Sequence, residues 1–214
     1  MKKIYIVGSG GFAREVAWLI EDINEKNPTW EIMGFIDENE DNIGKELNGY
    51  KVLGDLEYLN NQEKSYVTIA IGIGKVRQKI IKKINKHEFP VLIHPSVIVS
   101  KFVTIGEGSI ICAGSIITTN IEIEKHVIIN LDCTIGHDVN LKNYTTILPS
   151  VNISGNVTIE ERTMIGTGSA IIQGLNIGMD TIIGAGSVVI KSIPGSCTAV
   201  GNPARPIKFN STGV

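Results

Sequence analysis

The chain has 214 residues, of which 43% are apolar and 20% are charged. This length and apolar content suffice for one large domain or two small ones, each with a buried core. The 20 basic and 22 acidic side chains leave a net charge of −2, which gives no electrostatic reason to bind nucleic acid or an anionic membrane.

The N-terminus and the cysteines predict the compartment. The opening segment MKKIYIVGSGG lacks the apolar stretch of a signal peptide, and no run of the sequence is apolar for long enough to span a membrane. The three cysteines are odd in number and have no metal-like spacing, which argues against a disulfide framework. We therefore expect a soluble cytoplasmic protein without membrane insertion.

Residues 1–92 alternate between apolar strand-like segments and amphipathic helical ones. The predicted strands span residues 3–7, 31–36, 52–53 and 66–71, and the predicted helices span residues 14–24 and 75–86. Alternating strands and helices favour a parallel sheet with right-handed crossovers. We predict a small Rossmann-like α/β domain over residues 1–92.

From Val97 onward the chain repeats in blocks of six. Sixteen consecutive blocks, from VIVSKF at 97–102 to SVVIKS at 187–192, fit without an insertion, and the third position of each is Ile, Val or Leu. Such a period is typical of a parallel β-helix, in which three blocks form one triangular coil. Equivalent positions three blocks apart then lie above one another. We predict an all-β domain of this kind over residues 93–214.

Several motifs resemble those of a known enzyme family. They are GAGSVV at 184–189, VGNPAR at 200–205, GSGGFAREV at 8–16, FID at 35–37, LIHPS at 92–96 and CTIGHD at 133–138. Together with the repeat they resemble the hexapeptide acyltransferases, and more narrowly the sialic acid O-acetyltransferase family, which includes N-acetyltransferases of UDP-linked amino sugars. The resemblance implies a left-handed β-helix, acetyl-CoA as co-substrate without a metal, and a homotrimer with active sites between subunits.

His137 is the candidate general base. It lies at a predicted coil corner and is followed by Asp138, and spacing alone leaves a polar turn residue as an equal interpretation. The resemblance implies that His137 is the base and that Asp138 orients it, as in a catalytic triad. Gly155 has the same place three blocks further on, and the resemblance implies that its N–H donates to the thioester carbonyl and stabilises the oxyanion.

The other three histidines have simpler interpretations. His87 is expected to be solvated on the polar face of a helix, His94 to pack or hydrogen bond at the domain junction, and His126 to be a turn residue. A zinc carbonic anhydrase, the second enzyme class with this β-helix, needs three histidine ligands, two of them close in sequence. The spacing here offers no such pair.

Five positions are candidate contacts for coenzyme A. Thr167 and Ala185 have equivalent places three blocks apart, and Pro203 is expected to continue their column. The resemblance implies that the backbone here contacts the pantetheine arm. Arg205 and Lys208 follow in the C-terminal tail and are candidates for the phosphates of coenzyme A, with solvated charge as the alternative.

A glycine-rich turn follows the first predicted strand. Gly8, Gly10 and Gly11, with Phe12 after them, precede a helix whose N-terminal amides can hold a diphosphate. NAD is the rival ligand, because Asp37 after the second strand suits a ribose as well as a sugar nucleotide. The resemblance implies that this pocket binds a nucleotide sugar, with Asp37 close to it.

The start of the second predicted helix completes the candidate acceptor pocket. The resemblance implies that Gly74, Lys75 and Arg77 surround the nucleoside and phosphates, although Lys75 and Arg77 are also explained as plain helix charges. Phe12 and Thr146 depart from the family pattern, since some N-acetyltransferases of the family have histidines there. These departures leave a hydroxyl acceptor open.

The function expected from the resemblance is acetyl-CoA-dependent acetylation of the amino group of a nucleotide-linked amino sugar, in the biosynthesis of a surface polysaccharide. The main alternative is a sugar O-acetyltransferase of the sialic acid type. A serine acetyltransferase normally carries a helical N-terminal domain, whereas this one has a Rossmann-like pattern. A purely structural or sensory protein would need no histidine–aspartate pair stacked on a glycine.

Overall fold

A computed structural model of the chain describes residues 1–209. The chain forms two compact units, of which the first is Met1–Pro95 and the second begins at Ser96. The fold class predicted from the sequence is confirmed, because a Rossmann-like α/β unit precedes a left-handed parallel β-helix.

The first unit is built around one five-stranded sheet. Its elements are β1 (Lys2–Val7), α1 (Gly11–Lys26), β2 (Trp30–Ile36), β3 (Glu46–Leu47), β4 (Tyr50–Gly54), α2 (Leu56–Asn61), β5 (Tyr66–Ile69), α3 (Gly74–Ile81) and β6 (Leu92–Ile93). The strand order is β3-β4-β2-β1-β5, and every pair is parallel except the β3–β4 hairpin. The central strand β1 is buried from Ile4 to Val7, as its uninterrupted apolar run predicts.

The predicted elements of this unit differ from the observed ones mainly at the second predicted helix. Helix α3 ends at Ile81, not at residue 86. The segment after the helix is held by the side chain of Asn60, which donates to Lys83 O at 2.9 Å and accepts from Asn85 N at 3.0 Å. Strand β3 and helix α2 were not predicted, and both are only a few residues long.

His87 shows a further difference from prediction. The expectation that it is solvated on a helix is wrong, because α3 ends before it and only 9% of the residue is exposed. Its Nδ1 lies 3.0 Å from Ser65 Oγ, and its Nε2 lies 3.0 Å from Leu59 O. His87 is thus a buried histidine with both ring nitrogens hydrogen bonded.

The second unit contains a long series of very short strands. They are β7 (Ile98–Val99), β8 (Val103–Ile105), β9 (Ile110–Ile111), β10 (Ile116–Ile117), β11 (Ile121–Ile123), β12 (Ile128–Ile129), β13 (Thr134–Ile135), β14 (Asn140–Leu141), β15 (Thr146–Ile147), β16 (Asn152–Ile153), β17 (Thr158–Ile159), β18 (Met164–Ile165), β19 (Ala170–Ile171), β20 (Asn176–Ile177), β21 (Ile182–Ile183), β22 (Val188–Val189), β23 (Cys197–Gly201) and β24 (Ala204–Phe209). Each strand from β7 to β22 ends on the third position of a sequence block. The repeat predicted from the sequence is therefore confirmed strand by strand.

The strands stack in three parallel sheets, one for each face of the coil. Strand β13 pairs with β16 so that Ile135 is opposite Ile153, which confirms that one coil consists of three blocks. The third-position side chains from Ile111 to Val189 are at most 2% exposed. They form the continuous apolar column that stabilises coils too short to be stable alone.

Seven of the sixteen blocks begin with Ser or Thr, and these hydroxyl groups pair with backbone groups at the corners. Ser115 Oγ donates to Asn130 O at 2.9 Å and accepts from Cys133 N at 3.2 Å. Ser169 repeats the pattern towards Gly184 O at 3.0 Å. A buried hydroxyl is favourable here because it pairs a carbonyl and an amide that the turn leaves unpaired.

The last coil is shorter than the others. Strand β23 pairs with β21 so that Ile183 is opposite Ala199, whereas a full coil of three blocks would put Gly201 there. If this pairing is continued by two residues on both strands, Gly201 lies above Ala185. The expectation that Pro203 continues the column of Thr167 and Ala185 is therefore wrong. The chain then reverses, and β24 pairs with β23 in antiparallel fashion.

Candidate active site

The first part of the site is the pair His137 and Asp138, at the corner after β13. His137 Nδ1 lies 2.7 Å from Asp138 Oδ2, and the side chains are 58% and 45% exposed. With the Nδ1 proton donated to the carboxylate, the neutral ring keeps its lone pair on Nε2. This is the arrangement that a general base requires.

Asp138 adopts the left-handed backbone conformation, with φ of 58°. Asn120 and Asn156, one coil below and one above, have φ of 56°. Asp and Asn adopt this conformation with less strain than other residues that carry a Cβ atom. The turn of the coil therefore places the carboxylate beside the imidazole.

Gly155 lies directly next to His137 in the following coil. A Cβ atom on Gly155 would be 2.5 Å from His137 Nε2, so any side chain at this position would force the imidazole to move. The backbone continues the column in both directions, because Asn156 N donates to His137 O at 2.9 Å and Gly174 N donates to Gly155 O at 3.0 Å. The predicted stacking of His137 and Gly155 is confirmed.

Thr167 and Ala185 lie at a different corner of the coil from His137. They are stacked tightly, since Gly186 N donates to Thr167 O at 2.8 Å and a Cβ on Gly166 would be 2.5 Å from Ala185 N. Within one chain, the corner with Thr167 and Ala185 is therefore separate from the corner with His137, as the sequence predicts.

Arg205 and Lys208 both lie on the terminal strand β24. Both are exposed, and Arg205 Nη1 donates to the adjacent Ala204 O at 2.8 Å. Lys208 is opposite Thr198 of β23. The strand holds the backbone of both residues in place while their charged ends reach solvent.

The glycine-rich turn connects β1 to α1. Gly8 has φ of 109°, and a Cβ there would be 3.0 Å from Ala70 O, so this position requires glycine. Helix α1 begins at Gly11, its N-cap residue Gly10 has no side chain that could cap the helix, and its first turn contains no acidic residue. Such an N-terminus favours an anionic ligand. Phe12 is half-buried at the start of the helix.

Asp37 lies beside this turn in a network of hydrogen bonds. Its Oδ2 accepts from Ser9 Oγ and, at 3.2 Å, from Asn42 Nδ2, and its Oδ1 accepts from Asn39 N at 2.9 Å. Burial alone would raise the pKa of Asp37, but these hydrogen bonds and the positive charge of Lys45 outweigh it and lower the pKa. Asp37 is therefore a carboxylate whose position is tightly determined.

Sequence reasoning missed Ser9, Asn42 and Lys45 as members of this network. Lys45 Nζ donates to Asn42 Oδ1 at 3.0 Å, and Asn42 Nδ2 lies 3.3 Å from Ser9 Oγ. Ser9 could have been found from its place inside the glycine-rich turn. Asn42 and Lys45 had no comparable signal, because a short 3₁₀ turn at Glu40–Asn42 brings them back towards Asp37.

The start of α3 brings Gly74, Lys75 and Arg77 close to the carboxyl edge of the sheet, where the glycine-rich turn also lies. Lys75 is exposed, whereas Arg77 is 1% exposed. Arg77 Nη1 donates to Ile71 O at 2.8 Å and to Gly72 O at 3.0 Å. The expectation that Arg77 contacts a ligand is therefore revised, because its guanidinium is turned into the protein.

His94 and His126 are engaged in structural contacts. His94 Nε2 lies 2.6 Å from Asp22 Oδ2, which confirms the expected hydrogen bond, and the His94 ring contacts Trp18. His126 is a turn residue with φ of 55°, is 3% exposed and stacks on Tyr144. Thr146 is also buried.

The residues that the structure describes contain neither a cluster of metal-ligating side chains nor a helix that could span a membrane. Within residues 1–209, no three or more His, Cys, Asp or Glu side chains come together as a metal site would need. In the same range no helix has the length and apolar character needed to cross a membrane.

Comparison with known proteins gives a consistent result. The sequence profile of the PglD N-terminal domain matches residues 3–84. Over its full length the chain is similar to the GDP-perosamine N-acetyltransferase of Escherichia coli O157:H7, with 34% identity over 218 residues and 98% of each chain covered.

Two solved structures extend this similarity. The acetyltransferase domain of PglB from Neisseria gonorrhoeae FA1090, in complex with acetyl coenzyme A, superposes with a TM-score of 0.88 and 32% identity, covering 96% of this chain and 99% of that one. PerB from Caulobacter crescentus, in complex with CoA and GDP-perosamine, has a TM-score of 0.84 and 32% identity, covering 97% and 98%.

Proposed function

Because the chain belongs to the family of hexapeptide-repeat acetyltransferases that includes the GDP-perosamine N-acetyltransferases, we propose that it transfers the acetyl group of acetyl-CoA to the amino group of a nucleotide-linked amino sugar. The observation that carries this proposal is the His137–Asp138 pair directly next to Gly155. It combines a base, its orienting carboxylate and a backbone amide in one corner.

His137 acts as the general base in this proposal. Its Nε2 accepts a proton from the amino group as the nitrogen attacks the thioester carbonyl carbon, and Asp138 stabilises the imidazolium that forms. The Gly155 N–H donates to the oxyanion of the tetrahedral intermediate. The C–S bond then breaks, and the departing thiolate takes up the proton from His137, which restores the neutral base.

We propose that the other candidate residues have the binding roles that the family resemblance implies. The amides at Gly10 and Gly11 hold the diphosphate of the acceptor, with Asp37 and Lys75 beside the nucleoside. The backbone at Thr167 and Ala185 contacts the pantetheine arm of acetyl-CoA. Arg205 and Lys208 supply positive charge for its phosphates.

We further propose a homotrimer whose active sites lie between subunits. The sheet that contains β13 exposes Ile98 (64%) and Ile116 (39%), and the corner with His137 exposes Ile172 (43%) and Ile190 (40%). Exposed apolar side chains along one face of the coil favour contact with a second copy of the chain. A neighbouring subunit would bring its Thr167 corner to His137, which one chain alone keeps apart.

The test is release of free CoA thiol from acetyl-CoA with a panel of acceptors. The panel pairs GDP- and UDP-linked amino sugars with free sialic acids, and runs the native chain beside His137→Ala. We expect turnover with a nucleotide amino sugar, and its loss in His137→Ala with the fold and oligomer retained. Turnover with free sialic acids alone would instead make the protein an O-acetyltransferase.

A further inference from the structure

We infer that Arg77 is a positioning residue for the nucleotide part of the acceptor, an inference that rests on the proposed function. Arg77 is the largest fully buried side chain in the part of the chain that the structure describes. Burying a guanidinium is costly unless its N–H groups are well paired. An arginine at such a place is therefore expected to do more than fill space.

The contacts of Arg77 indicate what it does. Arg77 lies in the first turn of α3, and its side chain folds back to the residues that precede the helix. Its Nη1 donates to both Ile71 O and Gly72 O, at 2.8 and 3.0 Å. Hydrogen bonds from a charged donor are stronger than neutral ones. They hold the turn between β5 and α3, here called the β5–α3 turn (residues 70–73), in one conformation.

The β5–α3 turn packs directly against the glycine-rich turn. Strand β5 pairs directly with β1, and Ala70 N donates to Val7 O at 2.8 Å. A Cβ on Gly8 would be 3.0 Å from Ala70 O and 3.3 Å from Ile71 Cγ1. Because the two turns are in van der Waals contact at the carboxyl ends of adjacent parallel strands, a shift of one displaces the other.

The place of Arg77 also determines which kinetic constant it affects. Arg77 and the turn that it holds belong to the first unit, whereas the His137 and Thr167 corners belong to the second. Loss of the guanidinium is therefore expected to change the shape of the nucleotide pocket and to leave the reacting groups in place. A change in ground-state binding of one substrate appears as a rise in KM for that substrate.

The experiment compares Arg77→Met and Arg77→Lys with Lys79→Met, which removes an exposed positive charge from the same helix. The constants measured are kcat, KM for the nucleotide amino sugar and KM for acetyl-CoA. Calorimetry measures Kd for GDP and UDP alone, and melting reports folding. For Arg77→Met we expect KM for the sugar and Kd for the nucleotide to rise at least about tenfold, with KM for acetyl-CoA within about twofold.

Arg77→Lys keeps a charged donor, so we expect it to fall between the native protein and Arg77→Met, while Lys79→Met behaves as the native protein. An unchanged nucleotide Kd in folded Arg77→Met would overturn the inference, as would equal rises in both KM values. If Arg77→Met does not fold, Arg77→Lys decides by the same criteria.

A native protein that binds nucleotide but acetylates no amino sugar contradicts the proposed function and leaves the role of Arg77 intact. A native protein that binds no nucleotide contradicts both.

Discussion

The imidazole of His137 lies against the backbone of Gly155 in the next coil, where a Cβ atom would be 2.5 Å from Nε2. Gly155 is not among the residues with positive φ, so its backbone conformation alone does not demand glycine. The requirement comes from the neighbouring ring. The His137 ring can therefore occupy this position only because residue 155 has no side chain.

Gly155→Ala is expected to reduce kcat/KM by about 100-fold, because the new Cβ displaces the imidazole from its position. The ring is more than half exposed and can rotate into solvent, so the melting temperature should change little. Steady-state kinetics and thermal melting check the two parts. Ser154→Ala, an exposed neighbour on the same corner, is the matched control, and full activity in Gly155→Ala would contradict the arrangement.

Asp138 combines a chemical and a conformational role, and two substitutions separate them. Asp138→Asn keeps a residue that tolerates φ of 58° but loses the charge that orients His137, so we expect a rate loss of about 10-fold to 100-fold with an unchanged melting temperature. Asp138→Ala should lose as much rate and also lower the melting temperature, since Ala is strained there. Equal melting temperatures for both variants would show that the turn carries no such strain.

The β-helix could be predicted almost completely from the sequence, and the reason is its repetition. Each coil makes the same contacts as its neighbours, so Ile135 opposite Ile153 follows from counting blocks. Counting also placed Gly155 next to His137. It failed only at the shortened last coil, where Ile183 is opposite Ala199 and Gly201 takes the place expected for Pro203.

The edge of the first unit that carries the glycine-rich turn was predicted less well, because its contacts are not periodic. The network that joins Asp37, Asn42 and Lys45 depends on a short 3₁₀ turn. The burial of Arg77 depends on where the chain goes before α3. Such features result from tertiary packing, and neither residue type nor spacing reports them.

The apolar column predicts a contrast between adjacent residues of one strand. Ile159 is fully buried in the column, whereas Thr158 points to the outer face. Ile159→Ala is expected to destabilise the fold by about 2–5 kcal/mol, and Thr158→Ala by no more than about 0.5 kcal/mol. Denaturant unfolding at one fixed protein concentration measures both. A similar loss for the two variants would contradict the alternation along β17.

The cysteines should be unreactive in the folded protein. Cys112, Cys133 and Cys197 are all buried, and burial raises the pKa of Cys133 to about 11. A thiol reagent at about pH 8 reacts with the thiolate, so we expect almost no labelling of the native chain. The same assay in denaturant without reductant should count three thiols per chain. A smaller count would reveal a disulfide, and rapid labelling of the native chain would contradict the burial.

Asp37 gives a prediction about pH. Burial acts to raise its pKa, but the hydrogen bonds from Ser9, Asn39 and Asn42 outweigh burial, so the pKa in the folded protein lies below the ordinary value. A lowered pKa stabilises the fold at every pH above the unfolded-state value of about 3.9, and this stabilisation is lost as the pH falls through the folded value. Asp37→Asn should therefore lower the unfolding midpoint at about pH 7, by an amount that shrinks below about pH 4. Glu38→Gln removes an exposed neighbouring charge and should leave the midpoint unchanged, and a constant deficit of Asp37→Asn across this range would contradict the lowered pKa.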